Sequence, residues 1–400
     1  MFRVTKEFEN MLYLFSCAAQ NIAPDINRSY DIPLIKKYAV DNRVWPVIVI
    51  GAQKWENDNL KISDSAVALE VYHNLLRTVK LAEVIKKLEN NGISCCILKG
   101  QTLAKLYAEP FSRISSDIDI YIDSQDEKKS CKILAENGFE ILERAFGSHH
   151  IKCISEVYGR IELHTEYFDK VIAELWFSDL GCFSNQKIQF DFENIQCSTL
   201  NITEGLIFNF LHFIKHYISG LVTVRQLMDN LLYLKAYKNE INYEKLNYIL
   251  HKLHYHKFLL ICIGFGIKYF HFNEADFVYE VPKEYNSLIL NLAEDFLVSA
   301  GNNDSMLYHE YGKTKYISKH KKGFYRIYHF TKNSGGMRKN VVVSNKTMKE
   351  KYPILNRYPL LYPFCFLMRA TVGVWKVFFS KNHASRKENK RLKLIKDFGL

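Results

Sequence analysis

No two of the nine cysteines stand in a C-x-x-C pair, and their number is odd. That argues against a zinc ribbon or a disulfide framework and for a reducing compartment. The first twenty-one residues carry acids early and hold no clean apolar core, so they do not read as a signal peptide. Pro359–Phe379 is about as long as a membrane span, but Arg369 and Lys376 interrupt it. It reads as an amphipathic helix packed on the protein or lying in a membrane interface. Gly264-Phe265-Gly266 sits in a helical run and lacks the strand-turn-helix setting of a dinucleotide site. No internal repeat is evident.

Acidic residues are scarce in one region only. Lys313–Leu400 holds 22 Lys and Arg against 3 Asp and Glu, a net of +19, so residues 1–312 carry −8 of the chain's +11. Such a tail meets phosphates of a nucleic acid or an anionic membrane, or is a solvated surface. With 400 residues, 48% of them hydrophobic and 24% charged, the chain is an ordinary globular protein of two or three domains.

What is present begins with helices. Residues 1–90 read as helical, and the last of these helices stops at Asn91-Gly92. The period then changes. Ile93–Leu98 reads as a buried strand, and the chain turns at Gly100 into a short helix. "DIDIYI" is a second strand, followed by a helix that stops at Asn137-Gly138. "HHIKCIS" and "GRIELHTEY" read as two more strands joined by "EVYG". From Thr203 to about Phe270 the pattern is helical again.

Strand side chains alternate between faces. Ile118 and Ile120 therefore share one face of their strand, and Asp117 and Asp119 the other. Two carboxylates that close repel each other and resist burial. Protonation of one of them, a divalent cation, surrounding bases or exposure at a strand end makes them tolerable. Oxygen donors of this kind suit Mg²⁺ or Mn²⁺ rather than zinc. In "GRIELHTEY", Glu162 and His164 share a face and Ile161 and Leu163 the other. Glu162 is a candidate third ligand; its bland alternative is a salt bridge with Arg160 or Arg144. Three carboxylates holding two Mg²⁺ about 3.5–4 Å apart is a known solution for in-line phosphoryl chemistry. Upstream, Gly100 lets a phosphate approach the backbone, and Lys99 adds positive charge.

Taken together, "ILKGQTLAKLYAEPFSRISSDIDIYI", "GRIELHTEY" and "HYISGLVTVRQLMDNLLYL" resemble the uncharacterised bacterial nucleotidyltransferases with an L-K-G…R…D-I-D pattern, of the DNA polymerase beta-like superfamily. The resemblance covers about Ile93 to Leu234. It implies an α+β protein: a small mixed-sheet nucleotidyltransferase core at 91–200, a helical region at 1–90, a helical domain at 201–312 and a basic region at 313–400. It implies transfer of NMP from an NTP to an acceptor hydroxyl or phosphate with Mg²⁺ or Mn²⁺. Asp117, Asp119 and Glu162 match the catalytic and metal-binding acids, and Gly100, flanked by Lys99 and Gln101, the phosphate turn. The wider superfamily has Gly-Gly or Gly-Ser there, so the phosphate-touching serine is replaced by Gln101. Arg113 either pairs with nucleotide phosphates or braces the aspartates. Arg225 and Asp229, four apart on one helix face, form an intrahelical ion pair or border the nucleotide cleft, and His216 joins them. His149 and His150 can reach the site from the neighbouring strand, but paired histidines in a hairpin are more often surface residues. The expected setting is cytoplasmic, with the tail peripheral to the inner membrane face, and a role beside surface-polysaccharide synthesis is an association. Two rivals stand: a non-catalytic nucleotide-binding scaffold, and an RNA-binding protein using the tail.

Overall fold

In the computed structural model, residues 4–25, 27–55, 60, 62–115, 117–142, 150–168, 183, 186–193, 195–219, 222–299 and 393–400 are described. The alternating aspartates lie on the central strand of a seven-stranded mixed sheet. Its strands are β1 (Cys96–Lys99), β2 (Asp117–Tyr121), β3 (Glu140–Ile141), β4 (His150–Ser155), β5 (Gly159–His164), β6 (Lys187–Phe192) and β7 (Ile195–Leu200). Their order is β3-β4-β5-β2-β1-β7-β6. β2 runs antiparallel to β1 and parallel to β5, and β4 closes an antiparallel hairpin with β5.

Before the sheet come α1 (Lys6–Gln20), α2 (Ile32–Asp41), α3 (Trp45–Ala52) and α4 (Ser65–Asn90). Asp64 caps α4 by accepting from Ala66 N–H, and the expected stop follows it, with Gly92 at φ +76°. Between strands lie the four-residue α5 (Gln101–Ala104) and α6 (Glu127–Glu136). After the sheet come α7 (Ile202–Ser219), α8 (Val224–Ala236), α9 (Tyr243–Lys252), α10 (His256–Tyr269) and α11 (Asn286–Ser299).

The apolar half of the alternation explains the register. Ile97, Ile118, Ile120, Ile151, Cys153, Ile161 and Leu163 are buried in one core with Leu81, Val84, Ile85 and Leu88 of α4 and Ile133 and Leu134 of α6. Slipping β2 by one residue would drive Asp117 and Asp119 into that core, so the pairing is strongly specified. Both carboxylates consequently stand on the opposite face.

The α+β expectation and its flanking helices hold. Two local features differ from the sequence reading. Pairing in the first strand begins at Cys96 rather than Ile93 and extends to Lys99. The short β3 and the β6–β7 hairpin were not expected, although "KIQFDF" alternates polar and apolar residues along its length. The helical stretch from Thr203 to about Phe270 resolves into four helices, two of which, Ile202–Ser219 and Val224–Ala236, carry its clearest helical pieces. Gly264 and Gly266 serve close packing: a Cβ there would come within 2.4 Å of Ile289 Cδ1 and 2.7 Å of Leu231 Cδ1.

Contacts divide the chain into one unit of residues 1–217, 221–303 and 398–400 and another of residues 218–220 and 304–397. Within the first, Ser16 on α1 donates a hydrogen bond to the carbonyl of Phe270 just beyond α10, so the N-terminal helices and the helices after the sheet pack together. Among the described residues no helix is long and apolar enough to cross a membrane. His149, Arg144, Pro359–Phe379 and the tail up to residue 392 lie outside the described residues.

Candidate nucleotide and metal site

Sheet register builds the site. Lys99 on β1 stands opposite Asp119 on β2, which stands opposite Glu162 on β5. Asp117 pairs in register with Arg160, and His164 with both Tyr121 and His150. An irregularity between Ile97 and Lys99 sets the Lys99–Asp119 pairing.

Asp119 is fully buried, at 0% exposure. Its Oδ1 lies 2.8 Å from His164 Nε2 and its Oδ2 3.3 Å from Lys99 Nζ. Burial alone would raise this carboxyl, but the Lys99 charge and the His164 contact override it and hold it well below the usual carboxylate range. Lys99 Nζ is also 2.9 Å from His212 Nε2 on α7, which is itself 2.7 Å from His216 Nε2. Burial, then the neighbouring Lys99 and His216, push His212 far down, so it is neutral and accepts from Lys99.

Glu162 behaves oppositely. Burial raises its carboxyl, and the like charges of Asp119 and Asp117 raise it further. The charges of Arg160, whose Nε lies 3.4 Å from Oε1, and of Lys99 offset this in part; His150 Nε2 lies 3.5 Å from Oε2. Arg160 Nη2 is also 3.4 Å from Asp117 Oδ2. Burial, then His164, push His150 down to about 4, so it is neutral at pH 7. A prediction follows from the sign of the Glu162 shift. Above its raised folded value the ionised form is penalised in the folded state; below the unfolded value, about 4.3, it is neutral in both states. In metal-free buffer Glu162→Gln should therefore be more stable than wild type at pH 8, and the gap should close as pH falls below 4. Denaturant melts at both values check it; a variant less stable at pH 8 contradicts it.

The glycine turn is locked to the helices by a buried cluster. Gly100 adopts φ +98° and ψ −97°, a conformation that L side chains rarely reach, yet a Cβ there would meet nothing nearer than 3.9 Å. Its carbonyl accepts from Ala104 N at 2.9 Å and from Arg113 Nη1 at 3.3 Å. Arg113 also grips Asp229 on α8 with two parallel bonds, Nε to Oδ1 at 2.9 Å and Nη2 to Oδ2 at 2.7 Å. Tyr107 donates to Asp229 Oδ1 at 2.8 Å, and Arg225 Nη1 reaches Oδ2 only at 3.5 Å. Burial would raise Asp229, but Arg113 and Arg225 hold it low. Burial and then the charge of Arg113 lower Arg225.

The expected site residues thus fall into two groups. Lys99, Asp117, Asp119 and Glu162 come together on the sheet face. Gly100, Gln101, Arg113 and Arg225 line or adjoin the turn, where Gln101 is buried and its Oε1 has no hydrogen bond among the described residues. Arg113 does brace, but it braces Asp229 and the Gly100 carbonyl rather than Asp117 or Asp119. His150 reaches the site rather than the surface position more usual for paired histidines in a hairpin. Sequence reasoning missed Tyr107, His212 and the central place of Asp229. Only His212 left a trace, four residues before His216 on one helix face. Among the described residues, the potential metal ligands that gather within 4.8 Å of one another are His150, Glu162 and His164.

The sequence model of a family described as "uncharacterised nucleotidyltransferase" matches residues 37–270. That span contains the whole sheet and both residue groups, and it is wider than the Ile93–Leu234 resemblance it bears out. No curated protein and no solved structure matches the chain.

Proposed function

We infer the function from the premise that the chain belongs to this family of uncharacterised nucleotidyltransferases, for which an NTP is the implied substrate. The reaction we propose is attack by an acceptor hydroxyl or phosphate on the α-phosphorus. A bond forms between acceptor oxygen and phosphorus, the bond to the β-phosphate oxygen breaks, and pyrophosphate leaves with its electron pair. The observation that carries this reading is the fully buried, strongly acidic Asp119 in register with Glu162, on the face that also bears Asp117.

The donor set suits Mg²⁺ or Mn²⁺. All three side chains offer oxygen, and the buried Asp119 Oδ2 is balanced by the Lys99 ammonium at 3.3 Å, a positive charge where a cation's would stand. Asp117, Asp119 and Glu162 would hold the cation, which when bound neutralises the triphosphate and lowers the pKa of the attacking hydroxyl. Lys99 neutralises Asp119 in the free protein and is placed to turn toward a phosphate oxygen. The open Cα of Gly100 admits the triphosphate close to the backbone. Glu162, the acid with the raised pKa, is the group to accept the acceptor's proton. Arg113 positions the glycine turn by tying it to Asp229, and Arg225 is the cation of that cluster assigned to the nucleotide.

The acceptor is a small sugar, a lipid-linked glycan, a protein side chain or an RNA end, and a place beside surface-polysaccharide synthesis rests on the resemblance alone. The test is pyrophosphate release from each of the four NTPs with Mg²⁺ and an extract of the native host as acceptor source. Release by wild type that vanishes in Asp117→Asn is expected. Release unchanged in that variant would mean that the sheet-face acids are not the site. No release with any NTP would favour the non-catalytic scaffold.

A further inference from the structure

We propose that His150, Glu162 and His164 form a second metal site of the two-histidine, one-carboxylate type, selective for a borderline divalent cation such as Zn²⁺ over Mg²⁺. It adjoins the acids assigned to NTP chemistry and shares Glu162 with them, but it does not rest on turnover. The three residues are fixed by the β4–β5 hairpin. His150 and His164 are directly paired across it, with ring centroids 5.1 Å apart, and Glu162 lies two residues before His164 on the same face. One ligand atom from each residue lies within 4.8 Å of the other two. His150 Nε2 and Glu162 Oε2 are already 3.5 Å apart. A tetrahedral ion with bonds of about 2.0–2.1 Å spaces its ligand atoms by about 3.3 Å. The remaining closure is therefore within reach of side-chain rotation on a rigid hairpin.

The surroundings support the same reading. Asp119 holds His164 Nε2 at 2.8 Å. A carboxylate gripping one nitrogen of an imidazole orients the ring for a metal on the other. The far oxygen of Asp119 lies 3.3 Å from Lys99 Nζ. Nitrogen donors select the cation: imidazole suits Zn²⁺ and its first-row neighbours, whereas Mg²⁺ keeps oxygen ligands and water. Elsewhere among the described residues, His251 and His256 stack at 4.2 Å but belong to no such three-residue group. They serve as the control for adventitious histidine binding.

The experiment is calorimetric titration of the full chain with Zn²⁺ in excess Mg²⁺ and without nucleotide, alongside Co²⁺ absorption as a report of tetrahedral coordination. Wild type should bind one Zn²⁺ and melt at a higher temperature with it. His150→Ala should lose both effects, and His150→Asn stands in if the alanine variant does not fold. Asp119→Asn should weaken Zn²⁺ by about 10–100-fold, the effect of losing an outer-shell carboxylate. Asp117→Asn and His256→Ala should bind as wild type. The proposal is overturned if both His150 variants bind like wild type, if Asp117→Asn loses Zn²⁺ as they do, or if Mg²⁺ alone gives the same His150-dependent binding. Pyrophosphate release measured in Mg²⁺ alone keeps failure of this proposal separate from failure of the nucleotidyltransferase reading.

Discussion

Asp119→Asn should lower nucleotidyl transfer by about a thousandfold or more while the protein stays folded. A bound cation contributes several kcal/mol of charge stabilisation in the transition state. Losing about 4 kcal/mol of it corresponds to about a thousandfold, at about 1.4 kcal/mol per factor of ten. The amide is nearly isosteric and still contacts His164, so the change is one of charge rather than shape. It leaves the Lys99 ammonium, at 14% side-chain exposure, facing a neutral group. Some stability should therefore be lost at neutral pH, and the loss should depend on pH. The folded Asp119 carboxyl is held below its unfolded value, so its contribution is full above about pH 4 and fades as pH falls through the folded value. Wild type and variant should converge in stability at low pH. Single-turnover transfer together with denaturant melts across pH checks both parts. A variant that transfers within tenfold of wild type sinks the assignment.

The second large effect is on stability. Asp229→Ala should cost about 3–5 kcal/mol, because it leaves two buried guanidiniums without the carboxylate they share. Arg113 and Asp229 are each only 3% exposed at the side chain, and Arg225 9%. Water cannot rescue them as it would on a surface, where such pairs are worth about 0–1 kcal/mol. Asp229→Asn should cost less, since Tyr107 keeps an acceptor. Arg113→Lys should not be silent either: an ammonium cannot make the two parallel bonds to Asp229 while also reaching the Gly100 carbonyl. Urea unfolding measures each variant. A loss under 1 kcal/mol for Asp229→Ala would show that the cluster does not hold the turn to α8.

The sheet face was legible because strand periodicity is local. Asp117 and Asp119 alternate with Ile118 and Ile120, and Glu162 and His164 alternate with Ile161 and Leu163. Each pattern sorts its polar residues onto one face without knowledge of the partner strand. The Arg160–Glu162 contact was legible as well, but which groups neutralise Asp119 was not. Lys99 meets Asp119 through an irregular β1–β2 register, and His212 reaches Lys99 from a helix 113 residues away. The same limit hid the role of Asp229. Its spacing from Arg225 suggested a pair within one helix, but its tightest partner is Arg113, 116 residues distant. Long-range ion pairs leave no period in a sequence. The β6–β7 hairpin was missed for another reason: its turn uses Glu193 at φ +52° instead of a glycine, so no glycine marks the hairpin.

The central claim is that a nucleotide's α-phosphate is passed to an acceptor. The most direct measurement supplies the protein with Mg²⁺, host extract and NTPs labelled at either the α- or the γ-phosphate. Label from the α-position should appear on an acceptor, label from the γ-position should leave as pyrophosphate, and both should cease in Asp117→Asn and Glu162→Gln. Transfer of the γ-label to the acceptor, or α-label transfer that survives in both variants, would contradict the account.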